Sequence, residues 1–117
     1  MDKPSSPPVR IETLAGSRPG VVVLKVHGPL EMTNFGEFEE LTRRNEAPVL
    51  IVDLAEVPYI DSAEIGALVG AYATHQKDGR SLALVAVNES VRNAMEVTRV
   101  GSFFRFFDSI AAAESAG

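Results

Sequence analysis

Apolar residues along this chain follow two spacings, one typical of strands and one typical of helices. Val9–Thr13 alternates apolar with polar residues, which predicts a half-buried strand. Val21–Val26, Val49–Leu54 and Ser81–Val87 are almost continuously apolar, which predicts strands covered on both faces. Phe103–Phe107 predicts a short aromatic strand. The pattern therefore predicts five strands.

Between these strands, apolar residues recur three or four positions apart, which predicts helices. Asn34 and Glu37 form a predicted cap pair for the first helix. Asn88 is predicted to cap the third helix, Gly101 to end it, and Asp108 to cap a last, Ala-rich helix. The predicted core-facing residues are Phe35, Phe38 and Leu41 in the first helix, Ile65, Leu68, Val69, Tyr72 and Ala73 in the second, and Val91, Ala94, Met95 and Thr98 in the third.

The order of these elements predicts a single α/β domain. Its central sheet is mostly parallel, with an antiparallel edge strand where the turn at Ala15–Gly20 joins the first two strands, and about four helices. Residues 1–8 form a Pro/Ser tail predicted to be disordered, so the domain covers residues 9–117. Right-handed crossovers should bring the turn Gly28-Pro29-Leu30 next to the junction Asp61-Ser62.

That junction, between the third strand and the second helix, holds the candidate chemistry. Either Asp61 or Ser62 is the helix N-cap, and Asp61 with Glu64 fits a capping box. In one interpretation Ser62 only caps the helix. In the other, its hydroxyl is exposed at the helix N-terminus, where free N–H groups and the positive end of the dipole can receive a phosphate. The two interpretations are compatible. Gly66 and Gly70, one helical turn apart, are interpreted as close-packing positions against the sheet.

Charge and composition narrow the possible partners. The formal net charge is −5, with 16 acidic and 11 basic residues, which disfavours nucleic acid and anionic membranes as partners. There is no cysteine, so Cys-ligated zinc, a disulfide framework and a thiol nucleophile are excluded. Neither a signal-peptide pattern nor an apolar run of membrane-spanning length is present. We therefore expect a cytoplasmic protein.

Enzymatic and metal-binding functions find little support in the sequence. If Ser62 were a nucleophile, it would need a nearby base. His75 lies thirteen residues further along the same helix, about 20 Å away, which leaves only His27. Asp53 and Asp61 could hold a metal, but strand-end and capping roles explain them better. We expect no catalytic residue, no metal and no cofactor.

The junction resembles the signature of the STAS domain, the sulfate transporter and anti-sigma factor antagonist family. Asp53-Leu54, a loop ending in Tyr59-Ile60, and Asp61-Ser62 followed by Ile65-Gly66 are similar to the motif of stand-alone bacterial anti-sigma factor antagonists, Asp-Ser-Ser/Thr-Gly-Leu/Ile-Gly. Gly28-Pro29-Leu30-Glu31 resembles the family's Gly-x-Leu-Asp, and Asn88-Glu89-Ser90-Val91 resembles the start of its third helix. The resemblance extends from about Val9 to Ala113.

This resemblance implies a regulatory binding module without enzymatic activity. Such a domain binds an anti-sigma factor, which is a serine kinase, and phosphorylation of the serine that aligns with Ser62 ends the complex. The partner-binding surface implied by the matching motifs consists of Gly28, Pro29, Leu30, Asp61, Ser62, Ala63 and Glu64.

Two positions depart from the family motif. Ala63 stands where a second hydroxyl residue is usual, and Glu64 stands where glycine is usual. They leave open an alternative, a non-phosphorylated STAS subunit of a lipid-transport ATPase complex or a scaffold in a stress-sensing assembly. Those uses need the fold but no phosphorylatable serine.

Overall fold

The computed structural model describes residues 9–31 and 36–116, and its centre is a five-stranded sheet. The strands follow one another across the sheet in chain order. The first two are antiparallel and all other neighbours are parallel, which confirms the predicted sheet. The strands are β1 (Arg10–Ala15), β2 (Val21–His27), β3 (Val49–Glu56), β4 (Ser81–Val85) and β5 (Arg105–Phe107).

Four α-helices connect or follow these strands within the described residues, in agreement with the predicted number. They are α1 (Gly36–Arg44), α2 (Ser62–Lys77), α3 (Glu89–Val97) and α4 (Ile110–Ala116), and a short 3-10 turn (Gly101–Phe103) precedes β5. The predicted tail at residues 1–8, and Asn34 and Phe35 at the predicted start of the first helix, lie outside the described residues.

The helices divide unequally between the two faces of the sheet. Phe38 of α1, Leu68 of α2 and Met95 of α3 are fully buried in one large apolar cluster with one face of the sheet. Ala113 of α4 belongs to a second, smaller cluster on the other face, with Ile51 of β3. Because β3 is covered on both faces, its apolar run has no alternation, as the sequence predicts.

The buried stripe of α2 differs from the predicted one. Its fully buried residues are Glu64, Ile65, Leu68, Ala71 and His75, whereas Ala73 is exposed. The close-packing interpretation of Gly66 and Gly70 is wrong, because both are exposed and a Cβ atom on either would meet nothing within 4 Å. The helix carries small or apolar residues all round, so its apolar pattern does not single out the buried face.

Two of the predicted helix ends are also wrong. Helix α3 ends at Val97, before Gly101, and Arg99 takes the left-handed conformation that follows it, with φ of 63°. Thr98 at this end is exposed rather than core-facing, and its hydroxyl donates to the carbonyl of Ala94 at 3.0 Å.

Helix α4 begins after Ser109, whose hydroxyl oxygen accepts from the N–H of Ala112 at 3.1 Å, so Ser109 rather than Asp108 is the cap. Asn88, by contrast, is confirmed as the N-cap of α3: its side-chain oxygen accepts from the N–H of Val91 at 2.8 Å.

Candidate functional site

Backbone hydrogen bonds join the turn after β2 to the loop before α2. The N–H of Gly28 donates to the carbonyl of Glu56 at 2.9 Å, and the N–H of Leu30 donates to that of Tyr59 at 3.2 Å. The N–H of Asp61 donates back to the carbonyl of Leu30 at 3.0 Å. The predicted proximity of the two segments is therefore confirmed.

Gly28 is the residue that lets the chain turn there. Its φ of 106° lies in the region that a Cβ atom makes costly, so the turn favours glycine. The turn then places Leu30 in a short parallel bridge with Ile60. Leu30 thus holds Tyr59 and Ile60, the two residues just before the Asp61-Ser62 junction, although it lies about thirty positions earlier in the chain.

Ser62 is the first residue of α2, and its side chain is exposed. Asp61 occupies the N-cap position in an extended conformation, but its side chain makes no capping hydrogen bond. Its backbone carbonyl closes the first turn instead, accepting from the N–H groups of Glu64 and Ile65 at 3.1 Å each. The N–H groups of Ser62 and Ala63 have no acceptor among the residues described. The helix thus offers a hydroxyl and two free donors at its positive end.

The predicted capping box between Asp61 and Glu64 does not form. The N–H of Asp61 that Glu64 would accept is already bonded to Leu30. Glu64 instead points into the protein, with 0% of its surface exposed. Burial raises the pKa of the Glu64 carboxyl above its ordinary value, and the negative charges of Asp61 and Glu31 add to that effect. The backbone N–H groups of Glu64 and Asp61 act in the opposite direction and lower the pKa, because they lie near the carboxyl group. Neither N–H group is close enough or well enough aligned to form a hydrogen bond with it.

The predicted partner-binding residues divide into surface and interior. Asp61, Ser62 and Ala63 are exposed, and Gly28 and Pro29 are half-buried. Leu30 and Glu64 are fully buried, so in this conformation they offer no surface to a partner. The resemblance to the family motif could not separate the two groups, because it aligns residues along the chain without saying which way each side chain points.

Three residues around the site were named in the sequence analysis only as motif or capping residues, and their contacts at the site were not predicted. Tyr59, 41% exposed, donates a hydrogen bond from its hydroxyl to the carboxylate of Glu31. That bond raises the pKa of the Tyr59 hydroxyl, and burial and the charges of Glu31 and Asp61 act in the same direction. The side-chain amide of Asn88 donates to the carbonyl of Val57 at 3.0 Å, which ties α3 to the loop. An aromatic residue beside the junction was a signal that Tyr59 belongs to the site. The contacts of Glu31 and Asn88 could not be predicted, because their partners are distant in sequence.

Several acidic residues lie along the same edge of the sheet as Ser62. Glu31 lies after the bridge with Ile60, and Glu56 accepts the bond from Gly28 through its carbonyl. Glu89 follows Asn88, which contacts the same loop. With Asp61 these side chains give the edge of the sheet near Ser62 a negative character.

No histidine is in contact with Ser62 among the residues the structure describes. Nε2 of His27 lies 3.2 Å from Oε1 of Glu12, on β1. His75 is buried near the other end of α2, where its Nε2 donates to the carbonyl of Thr42 at 2.8 Å. A Ser-His pair of the kind that activates a serine nucleophile is therefore absent from residues 9–31 and 36–116.

The aspartates also lie apart. Asp53 alternates along β3 with Val52 and Leu54, which face α2, so its side chain points to the face that carries α4. Its Oδ1 accepts from the N–H of Ala55 at 3.0 Å, a strand-end role. No cluster of three metal-ligating side chains occurs within the described part of the chain. Across the same residues, no helix is long and apolar enough to cross a bilayer.

Comparison with known proteins decides the family. The family model of the STAS domain matches residues 14–113, which include both segments of the site. The chain belongs to the STAS domain family. The resemblance to the STAS family on which the sequence prediction rested is confirmed.

Solved structures with the same fold include several anti-sigma factor antagonists. One from Mycobacterium paratuberculosis is 24% identical, with a TM-score of 0.77 over 92% of this chain and 93% of that chain. An anti-sigma-factor antagonist (STAS) domain protein from Planctomyces limnophilus is 16% identical, with a TM-score of 0.72 over 89% and 97%. The Bacillus cell fate determinant SpoIIAA in its phosphorylated form is 12% identical, with a TM-score of 0.68 over 92% and 100%. At these identities the likeness concerns the fold.

Proposed function

We propose that this STAS domain is an anti-sigma factor antagonist, a non-enzymatic cytoplasmic module that binds an anti-sigma factor with serine kinase activity. Phosphorylation of Ser62 by that kinase ends the complex. The observation that carries the proposal is the position of Ser62, an exposed hydroxyl at the first residue of α2 that the helix does not use as its cap.

The start of α2 is suited to a phosphate as well as to a free hydroxyl. The unpaired N–H groups of Ser62 and Ala63 can donate to phosphate oxygens, and the helix dipole favours negative charge there. A phosphoserine carries a charge of about −1.5 to −2 at neutral pH. Modification would therefore change the surface without unwinding the helix, which is what a reversible switch needs. That a solved protein of this fold exists in a phosphorylated form supports the same interpretation.

The charge around Ser62 indicates the kind of surface that binds it. Glu31, Glu56, Asp61 and Glu89 make this edge acidic, so a partner with basic residues is favoured. The residues that a partner meets next to the hydroxyl are small, Ala63 and Gly66. A phosphoryl group or a carboxylate at position 62 would place a charged, hydrated group in this close contact, which weakens binding.

The test combines mass spectrometry with calorimetry. The domain is used to capture its kinase from the native cell, and the purified kinase is incubated with the domain and ATP. We expect one phosphoryl group, at Ser62. Binding should survive Ser62→Ala and weaken about tenfold or more with Ser62→Asp, a difference of about 1.4 kcal/mol or more.

Ser90 provides the matched control. It is exposed in the first turn of α3, at another helix N-terminus. We expect Ser90→Ala and Ser90→Asp to change neither the modified residue nor the affinity. If no kinase modifies Ser62 and Ser62→Asp binds like the wild type, the proposal is wrong.

The alternative use is as a non-phosphorylated STAS subunit of a lipid-transport ATPase complex or a stress-sensing scaffold. It is favoured by one observation: Glu64, in place of the family's usual glycine, is buried beneath the turn that carries Ser62 and adds bulk there. Capture of a transporter ATPase, with Ser62→Asp neutral for its binding, would support this alternative.

A further inference from the structure

Glu64 occupies a position in α2 that normally belongs to an apolar residue. With Leu68, Ala71 and His75 it forms the i, i+4, i+7, i+11 stripe along which α2 faces the core. His75, near the far end of the stripe, has a hydrogen-bond partner for one ring nitrogen. Neither carboxyl oxygen of Glu64 has a partner among the residues the structure describes. Glu64 is therefore a fully buried carboxyl group in the first turn of the helix, without a hydrogen-bond partner in residues 9–31 and 36–116.

The charged groups that act on this carboxyl are all acidic. They are Asp61 on its own helix and Glu31 on the segment after β2. Residues 32–35, Met-Thr-Asn-Phe, have no ionisable side chain.

The other elements that pack near α2 bring no counter-charge either. The buried residues of α1 are Phe38 and Thr42, and those of α3 are Val91 and Met95. Strand β4, residues 81–85, contains no ionisable residue. In β3, Asp53 points to the opposite face and Glu56, the last residue of the strand, is exposed.

The helix dipole alone does not compensate for burial. A carboxylate in a first turn gains only a modest stabilisation from the dipole, even in a partly buried geometry. Removing an ionised carboxylate from water without a partner costs considerably more than that. The packed side chain is therefore neutral, and an ionised Glu64 has to reach water. It does so only if the turn above it moves.

We propose that Glu64 is a proton-operated latch on the first turn of α2. With its proton, the side chain stays packed and the turn is closed. Without it, the side chain leaves the core and opens the turn, which breaks the bonds that the carbonyl of Asp61 accepts from Glu64 and Ile65. Ser62 and Ala63 move with the turn, so the exposed face of this site has two forms whose ratio depends on pH. The latch belongs to the domain itself and does not depend on the identity of any partner.

Amide hydrogen exchange followed by NMR tests the latch in the isolated chain. The reporters are the amides of Glu64 and Ile65, because the closed turn protects them. After correction for intrinsic exchange, we expect opening in the wild type to increase as pH rises, up to about tenfold per pH unit, as the loss of one proton requires. The increase begins near the ordinary glutamate pKa of about 4.3 and stops at the raised one. Glu64→Gln keeps the shape without the charge, and its opening should not depend on pH.

Glu56→Gln is the matched control, since Glu56 is exposed at the end of β3, just before the loop that leads to α2, and its change should leave the wild-type pH dependence intact. A second measurement, the ¹³C shift of the Glu64 carboxyl against pH, applies to the wild type and so does not depend on how the variants fold. Titration of this carboxyl at the ordinary glutamate pKa overturns the latch. So does an equal pH dependence of opening in the wild type and Glu64→Gln.

Discussion

At the scale of single residues, Glu64 determines how stability should respond to pH. Its pKa is raised by burial in the folded protein, so the folded state holds a proton that the unfolded state has released. The stability that the protonated Glu64 side chain contributes is fully present below the ordinary glutamate pKa. It is lost as pH rises through the raised pKa of the folded state. Glutamine keeps a buried polar group but has no proton to release, so we expect Glu64→Gln to remove this loss. The variant should be more stable than the wild type at pH 8 by about 1 kcal/mol or more, because a pKa one unit higher in the folded state corresponds to about 1.4 kcal/mol.

Urea titrations of both proteins at pH 5 and pH 8 measure this difference. Glu37→Gln, an exposed glutamate in the first turn of α1, is the control for a general effect of charge. A wild-type protein that gains stability relative to Glu64→Gln between pH 5 and pH 8 would contradict the prediction.

The sequence could not reveal this role of Glu64. An aspartate followed three residues later by a glutamate is the pattern of a capping box. The same pattern is compatible with a glutamate that is buried in the core and takes no part in capping. Which of the two forms depends on whether the N–H of Asp61 is available. Its acceptor, Leu30, lies 31 positions away in the chain, so the answer comes from tertiary structure. The exposure of Ser62, in contrast, follows from its place at a strand-to-helix junction, which the change in apolar spacing predicts.

At the scale of secondary-structure elements, α2 contains two glycines that cost stability without a packing reason. Gly70 lies in the helix interior with open space at its Cβ position, so we expect Gly70→Ala to stabilise the protein by about 0.5–1 kcal/mol. Gly79 ends the same helix with φ of 75°, so Gly79→Ala should destabilise the protein by about 1 kcal/mol.

Urea denaturation measures both effects. The two variants control for each other because they make the same chemical change, one inside α2 and one just after its C-cap. Equal effects of the two substitutions would contradict the assigned conformations. The sequence predicts α2 correctly, because its apolar spacing is a local signal. It does not predict the buried face, since a helix with Ala, Gly and Val all round has no clear polar side.

At the scale of the whole molecule, α4 is attached to the first hairpin by one glutamate. Oε2 of Glu114 accepts from the N–H of Ser17 at 2.9 Å, and its Oε1 accepts from the Ser17 hydroxyl. These hydrogen bonds, the side-chain one first, lower the pKa of the Glu114 carboxyl. The attachment is thus present above the ordinary glutamate pKa and is lost as pH falls through the lowered one. We expect the amide of Ala113 to exchange faster in acid, opposite in direction to the first turn of α2.

The same exchange experiment measures both directions in one sample. Glu114→Gln should abolish the acid-dependent part at Ala113 and leave α2 unchanged. Identical pH profiles in the wild type and this variant would show that the contact does not hold the helix.

The parallel sheet and the order of the strands were predictable, because short crossovers of one hand place consecutive strands side by side. The contact between Glu114 and Ser17 was not, since 97 positions separate the two residues.

The unequal division of helices between the two faces has a consequence during synthesis. The face that α1, α2 and α3 cover receives each helix soon after its strand has been made, so that side closes progressively. The other face is covered by α4, which follows all five strands in the chain. Until α4 has emerged from the ribosome, Val21, Val23, Ile51, Ala83 and Val85 form an apolar sheet surface open to water. A nascent chain at that stage presents a surface that chaperones bind and that promotes aggregation, and packing of the seven-residue helix α4 ends this exposure.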